Sequence, residues 1–193
     1  MKLCLVVLGL IALPSFAASN PEEFHRAVYA LHEQQIAQHQ IKTKEEQGRY
    51  QGAAAGRYSY VDTRYYDAAS GLLLSRVQRD AVMPEYIHIV EVNIYEGGRL
   101  VRDFGSVSPP WAPLHPTRTF INLHHYNGQL HSFRQYDFYG EVGYEFCEGA
   151  LAGKPIRISL DSSDINTTST ATPGYKACFD GMNTDWARYR SPQ

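Results

Sequence analysis

Hydrophobic and polar residues follow two different rhythms along this chain. After Pro21, apolar residues recur at helical spacing and share one face; they are Phe24, Ala27, Val28 and Leu31. Ser19 or Asn20 suits the N-cap, and Pro21 suits the first helical position. We predict one helix from Pro21 to about Gln47, whose first half packs against the rest of the protein and whose polar second half faces water.

From Arg57 onward the pattern changes to short β-rich runs separated by turn signals. We predict eight strands, in "RYSYVDTRYYD", "LLLSRVQRD", "EYIHIVEVNIYE", "RLVRDF", "TRTFINLHHY", "QLHSFRQYDF", "VGYEFCEG" and "PIRISL". Tight turns between consecutive strands indicate an antiparallel meander. The expected fold is therefore α+β: an N-terminal helix packed on a curved, mostly antiparallel sheet of about eight strands, which either stays open or closes partly into a barrel.

The first 17 residues have the pattern of a secretory signal peptide. Lys2 precedes an apolar run from Leu3 to Ala12 that is too short to span a bilayer, and small residues follow it. We expect cleavage after Ala17, which leaves a single domain over residues 18–193 in the periplasm or outside the cell. The remaining sequence has no second long apolar run, so we expect no transmembrane anchor.

Charge argues against a nucleic-acid partner. The chain has 18 Lys and Arg against 20 Asp and Glu, a net charge of −2. A protein that binds the phosphate backbone needs clustered basic residues.

Two cysteines remain after the signal, Cys147 and Cys178. In an oxidising compartment they are expected to pair, which would tie the C-terminal tail to the sheet and contribute roughly 2–4 kcal/mol. The alternative is a catalytic or metal-binding thiolate at Cys147.

The stretch "INLHHYNGQLHSF" places three histidines around an Asn-Gly turn. A two-residue loop at Asn-Gly would set His124 opposite His131, close enough for the two imidazoles to share a transition-metal ion. A three-residue loop would instead set Leu123 opposite His131 and gather the apolar residues on one face. Because register usually follows the buried face, we favour the second arrangement slightly.

The other histidines give weaker signals. His25, His32 and His39 recur every seven residues, and a helix rises about 10.5 Å over that interval, too far for a shared ion. We expect them at the border between core and water. His88 is expected at the edge of the core, bonded to a carbonyl group, and His115 lies in a proline-rich loop.

Signals for catalysis are weak, and those for recognition are stronger. No nucleophile elbow occurs; Glu145 and Asp137 are the acids a secreted hydrolase would use. The chain has 14 tyrosines, a residue type that favours recognition surfaces. The expected ligand-binding residues are Trp111, Tyr126, Tyr136, His124 and His131.

The leading functional hypothesis is a non-catalytic periplasmic or secreted binding protein, with a small molecule or a protein as partner and no cofactor. Its ligand would lie between helix and sheet, or on the face near Trp111 and Tyr126. A metal-handling protein that uses His124 and His131 is the first alternative. A secreted hydrolase is the second.

Overall fold

The computed structural model describes residues 18–51, 58–165, 172–190 and 192, so the predicted signal peptide lies outside the described residues. The helices are α1 (Pro21–Gln38), α2 (Ser162–Ile165) and α3 (Pro173–Phe179), and a 3₁₀ turn covers Trp186–Tyr189. The strands are β1 (Ile41–Arg49), β2 (Ser59–Asp67), β3 (Leu73–Asp80), β4 (Ile87–Glu96), β5 (Arg99–Val107), β6 (Arg118–Asn127), β7 (Leu130–Tyr136), β8 (Val142–Leu151) and β9 (Lys154–Asp161).

The nine strands form one curved antiparallel sheet in chain order. The predicted α+β meander is confirmed, and the eight predicted strands correspond to β2 through β9. Within the described residues the sheet stays open, with β1 and β9 as its two edges.

The predicted helix is too long, because its second half forms the additional strand. α1 ends at Gln38, and β1 pairs with β2 from Ile41 opposite Asp67 to Arg49 opposite Ser59. Most β1 side chains are exposed on both faces. Such a strand lacks the alternation of apolar and polar residues that marks a half-buried strand, so its sequence resembles a solvent-exposed helical segment. Its charged side chains also discourage pairing with another chain at this edge.

One face of the sheet, termed the covered face, packs against α1. Asn20 caps the helix by accepting a hydrogen bond from the Glu23 amide at 2.8 Å. The predicted apolar residues Phe24, Val28 and Leu31 are buried there, as expected. The strands contribute Val77, Val90, Val92, Phe104, Ile121 and Leu123 to this core.

The same face also receives α3. The predicted Cys147–Cys178 disulfide is present and joins β8 to α3, and the Ser132 hydroxyl donates to the Cys178 carbonyl at 2.6 Å. Leu130, Phe179 and Met182 pack around the disulfide in a second buried cluster. The C-terminal segment is thus attached to the sheet as predicted, and Cys147 carries no free thiolate.

The opposite face, termed the open face, points away from α1, α3 and the 3₁₀ turn. Strand alternation places Arg76, Glu91, Asp103, Phe120, Asn122, His124, His131 and Gln135 on it. None of the helices in the described residues is long and apolar enough to cross a bilayer.

Candidate functional site on the open face

The β6–β7 hairpin turns at Gly128 and Gln129, so both registers considered from the sequence are wrong. Asn127 pairs with Leu130, and His124 pairs with Phe133. Gly128 has φ of 60°, as the first central position of a type II′ turn requires. This register buries Leu130 with the disulfide on the covered face, and burial of that face decides the pairing.

The observed register still brings His124 and His131 together, as diagonal neighbours on the open face. His124 Nδ1 lies 2.9 Å from His131 Nε2, and the two ring planes are nearly parallel, at 9°, with centroids 5.1 Å apart, so the rings meet edge to edge. His124 Nε2 lies 2.7 Å from Asp103 Oδ2. Asn122 donates to the other oxygen of Asp103, also at 2.7 Å. We term Asp103, His124 and His131 the histidine relay.

Hydrogen-bond chemistry fixes the direction of the relay when all three groups have their usual charges. The Asp103 carboxylate only accepts, so His124 carries its hydrogen on Nε2 and accepts on Nδ1 from His131 Nε2–H. His131 Nδ1 then remains as a proton acceptor. Burial lowers the pKa of His131, a positive charge on His124 when that ring is protonated lowers it further, and Glu148 opposes both. The lowered pKa favours the neutral His131 ring, whose Nδ1 can accept a hydrogen bond.

The geometry of the histidine pair is that of a hydrogen bond. A shared zinc or copper ion would lie about 2.0–2.1 Å from each nitrogen, so the facing nitrogens would have to separate. No group of three or more His, Cys, Asp and Glu in the described residues is arranged to hold a metal ion. The metal hypothesis for His124 and His131 stays a prediction.

Tyr126 is the third predicted ligand residue that joins this site. Its ring stacks on His131 with centroids 4.7 Å apart, and its hydroxyl donates to the Leu100 carbonyl at 3.1 Å. Burial raises the pKa of the Tyr126 hydroxyl, so it stays a donor at neutral pH.

The remaining two predicted ligand residues lie elsewhere. Trp111 is 59% exposed in the loop that precedes β6, whereas Tyr126 lies near the far end of that strand, about 26 Å from its first residue, Arg118, at the usual rise per residue. Tyr136 is buried on the covered face and stacks on Trp186 at 6.4 Å. Trp111 and Tyr136 therefore do not share a site with the histidine relay.

Beside the relay the open face contains a polar cleft of about 380 Å³, which the sequence did not suggest. Its lining includes Arg76, Glu91, Asp103, Arg118, Phe120 and Asn122. Arg76 donates to Asp62 at 2.7 Å and lies 3.4 Å from Glu91. Burial raises the pKa of Glu91, and Arg76 opposes that shift. The cleft thus presents both signs of charge.

One buried acceptor in the cleft is left without a partner. Asn122 Oδ1 makes no hydrogen bond within the described part of the chain, although the residue is only 8% exposed. Arg118 donates one guanidinium hydrogen to Gln135 at 3.1 Å, and within the described residues its other donors are left for a ligand. A ligand with hydroxyl groups would satisfy the amide oxygen and use these donors.

Phe120 forms an aromatic surface in the cleft because its cross-strand partner is Gly105. A Cβ atom added at Gly105 would lie 1.9 Å from Cζ of Phe120 and 2.4 and 2.5 Å from its two Cε atoms. These similar distances place the face of the ring, rather than its edge, on the glycine. The other face of the ring therefore points away from the sheet and into the cleft.

The two carboxylates considered for hydrolysis have structural roles. Glu145 is 1% exposed on the covered face, where it accepts from Arg134 Nε at 2.6 Å and from the Tyr175 hydroxyl at 2.8 Å. Asp137 accepts from the amides of Tyr139 and Glu141, each at 2.8 Å, and so stabilises a turn. Both carboxylates are engaged by protein donors.

Two helix histidines are more buried than the sequence suggests. His25 and His32 are 4% and 1% exposed, and their Nδ1 atoms lie 3.1 Å from Ser106 Oγ and 2.7 Å from Ser75 Oγ. Expecting them at the border of the core was wrong, because serines on the covered face supply partners that the sequence cannot reveal. His39 is exposed, as expected.

His115 and His88 each lie near a carboxylate. His115 is exposed in its loop, 3.5 Å from Glu22. His88 is fully buried; its nearest charged neighbour is the Asp80 carboxylate at 3.7 Å, and neither ring nitrogen has a hydrogen-bond partner in the described residues. The carbonyl partner expected for His88 is therefore wrong.

Comparisons with known proteins do not identify this arrangement. Searches against protein-family models, curated proteins and solved structures find no significant match. The function is therefore argued from the geometry of the open face.

Proposed function

We propose that this is a secreted, non-catalytic binding protein that takes a saccharide in the polar cleft of the open face. Core side chains of α1 and the sheet pack against each other. The cavity beside the end of α1, about 250 Å³, is smaller than the open-face cleft, which favours the open face as the ligand site. The observation that carries the proposal is the half-buried Phe120 ring, which rests on Gly105 and lines the cleft together with charged and amide side chains.

The chemistry of the cleft suits a sugar ring. A pyranose has one face of C–H groups, whose partial positive charge is attracted to the negative face of an aromatic ring. Its hydroxyl groups both donate and accept hydrogen bonds. Glu91 and Asp103 would accept from hydroxyls, Arg118 would donate to them, and a hydroxyl would also satisfy Asn122 Oδ1. A volume of about 380 Å³ accommodates one or two sugar rings.

Secretion is part of the proposal and is supported by two features. Residues 1–17 have the composition of a cleavable signal, and the Cys147–Cys178 disulfide suits an oxidising compartment. N-terminal sequencing of the protein recovered from a secreting host is expected to begin at Ala18. An N-terminus at Met1 would contradict the secretion part.

An array of neutral oligosaccharides tests the ligand class, with isothermal titration calorimetry on the best binder. Phe120→Leu keeps an apolar group over Gly105 but removes the ring face, and we expect it to weaken binding at least tenfold. Phe133→Leu is the matched control, because Phe133 lies on the same face outside the cleft lining. Absence of binding to every glycan, or equal loss in both variants, would reject the saccharide.

A further inference from the structure

The two ends of the sheet differ in what they expose. Because consecutive strands are antiparallel, the β3–β4, β5–β6 and β7–β8 connections lie at one end. Within the described residues that end holds all but one of the most exposed large apolar side chains: Val82, Met83, Trp111, Leu114 and Tyr139. We term these five residues the tip surface. Leu151, at 36% exposure, is the exception at the other end.

The tip residues are held outward by ordered turns. The buried Asp80 carboxylate accepts from the amides of Val82 and Met83 at 2.8 and 2.9 Å. Asp137 holds the Tyr139 turn in the same way. In the proline-rich loop, the Ala112 amide donates to the Pro109 carbonyl at 2.9 Å. The hydrogen-bonded turns therefore hold the apolar side chains outward. Because the loops are already ordered, docking costs them little further conformational entropy.

The exposed fractions are large for apolar side chains. Val82 is 81% exposed, Tyr139 is 69% exposed, and Trp111 and Leu114 are 59% and 58% exposed. Single exposed apolar residues are ordinary, but a group at one end of a molecule marks an interaction surface. Trp and Tyr are also the side chains that favour the boundary between lipid and water.

The spacing and charge of the tips select the kind of partner. The three loops follow one another at intervals of two strands, so their tips are about 10 Å apart and span about 19 Å. Separate tips in a row can all enter a planar apolar phase, whereas a protein partner would need three matching cavities. Residues 81–86, 108–117 and 137–141 contain Glu85, Asp137 and Glu141 but no Lys or Arg. These three loops therefore contribute no attraction to anionic lipid, and two basic side chains at this end lie at strand termini, Arg49 on β1 and Arg118 on β6.

We infer that the tip surface docks the protein end-on to a zwitterionic phospholipid membrane surface. In this orientation Trp111 and Leu114 enter the interface between headgroups and acyl chains, and Val82, Met83 and Tyr139 enter beside them. The open face stays accessible, so the polar cleft remains free for its ligand while the protein is docked.

Sedimentation with phosphatidylcholine vesicles tests this inference. The wild-type protein is expected to bind and its tryptophan emission to shift to shorter wavelength, because Trp111 leaves water. Trp111→Ala/Leu114→Ala and Val82→Ser/Met83→Ser are each expected to lower the partition coefficient at least tenfold. Leu151→Ser is the matched control, an exposed apolar residue at the opposite end that is expected to leave binding unchanged.

Three results would overturn the inference. One is wild-type protein that stays in solution with phosphatidylcholine vesicles. The second is a set of variants, each shown by circular dichroism to be folded, in which tip and control do not differ. Either Leu151→Ser loses vesicle binding as much as the tip variants do, or the tip variants keep wild-type binding. The third is binding that requires anionic phosphatidylglycerol vesicles, since charge rather than the tip surface would then be responsible.

Discussion

His124 Nδ1 lies 2.9 Å from His131 Nε2, across the diagonal of the β6–β7 hairpin. Asp103 accepts from His124 and lines the polar cleft, so one chain of hydrogen bonds joins the histidine pair to the cleft. A ligand that contacts Asp103 would therefore act on the same hydrogen-bonded chain.

The first prediction concerns the pKa of His131. His124→Phe keeps a ring of similar size beside His131 but removes the positive charge that lowers its pKa. The pKa of His131 should rise towards the ordinary value of 6.5. Glu148→Gln removes a charge that raises the pKa of His131, so it should shift that pKa down.

A pH titration of the His131 ring carbon–proton signal by NMR measures both shifts. Glu141→Gln, at an exposed turn position, serves as the control and should leave that titration unchanged. Shifts of the same sign in His124→Phe and Glu148→Gln would refute the coupling.

Acid should destabilise the protein through the histidines buried under α1. Burial lowers the pKa of His32 to about 4 from 6.5, and it lowers the pKa of His25 as well. Between pH 6.5 and 4 the unfolded chain binds more protons at these positions, so stability is complete above about pH 6.5 and is lost as the pH falls towards 4. His32 alone accounts for about 3 kcal/mol of that loss.

The measurement is urea unfolding at several pH values between 7 and 4. His32→Gln removes the titrating group and is expected to flatten the dependence of the unfolding free energy on pH. His115→Gln, at an exposed position, should keep the wild-type slope. An unchanged slope in His32→Gln would remove His32 as the cause.

Gly105→Ala should damage both stability and the proposed ligand site. The new Cβ would overlap the Phe120 ring, and overpacking of this kind costs about 1–3 kcal/mol. Gly143→Ala is the matched strand control, because its Cβ would have 3.9 Å to the nearest heavy atom. Urea unfolding of both variants should show a loss for Gly105→Ala alone; equal stability would mean that Phe120 does not rest on the glycine.

Removal of the disulfide should cost roughly 2–4 kcal/mol. Cys147 and Cys178 are 31 residues apart in sequence, and their pairing restricts the unfolded chain. The double variant Cys147→Ala/Cys178→Ala should unfold at lower urea concentration than oxidised wild-type protein. Wild-type protein treated with a reductant is expected to behave like the double variant, and a reductant-insensitive midpoint would argue against the bond.

Glu145 should matter for folding rather than for bond-making. Glu145→Ala leaves the half-buried Arg134 guanidinium without its carboxylate, which costs about 3–5 kcal/mol. The double variant Glu145→Leu/Arg134→Met removes both charges and should recover most of that loss in thermal unfolding. A Glu145→Ala variant as stable as wild type would show that the pair is dispensable.

The sequence predicts most of the architecture, because a strand or helix that buries one face has apolar residues at regular spacing. β2 through β9 were recognised from alternation and turn residues, and the Phe24, Val28 and Leu31 face of α1 from helical spacing. The sequence does not reveal β1, because an edge strand whose side chains are solvent-exposed on both faces has no alternation of apolar and polar residues. The Cys147–Cys178 disulfide is predicted from the expected oxidising compartment and from the number of cysteines that remain after the signal peptide, and the structure contains it.

Only the tertiary structure decided the candidate site. The cleft residues come from four strands, with Arg76 on β3, Glu91 on β4, Asp103 on β5, and Phe120 and Asn122 on β6, and nothing in the local sequence shows that these strands line one cleft. The hairpin register depended on burying Leu130 beside the disulfide. Local pattern therefore determined which segments became helix or strand, since that depends on near neighbours. Which side chains meet depends on strand pairing and on which face the helices cover, and these are properties of the whole sheet.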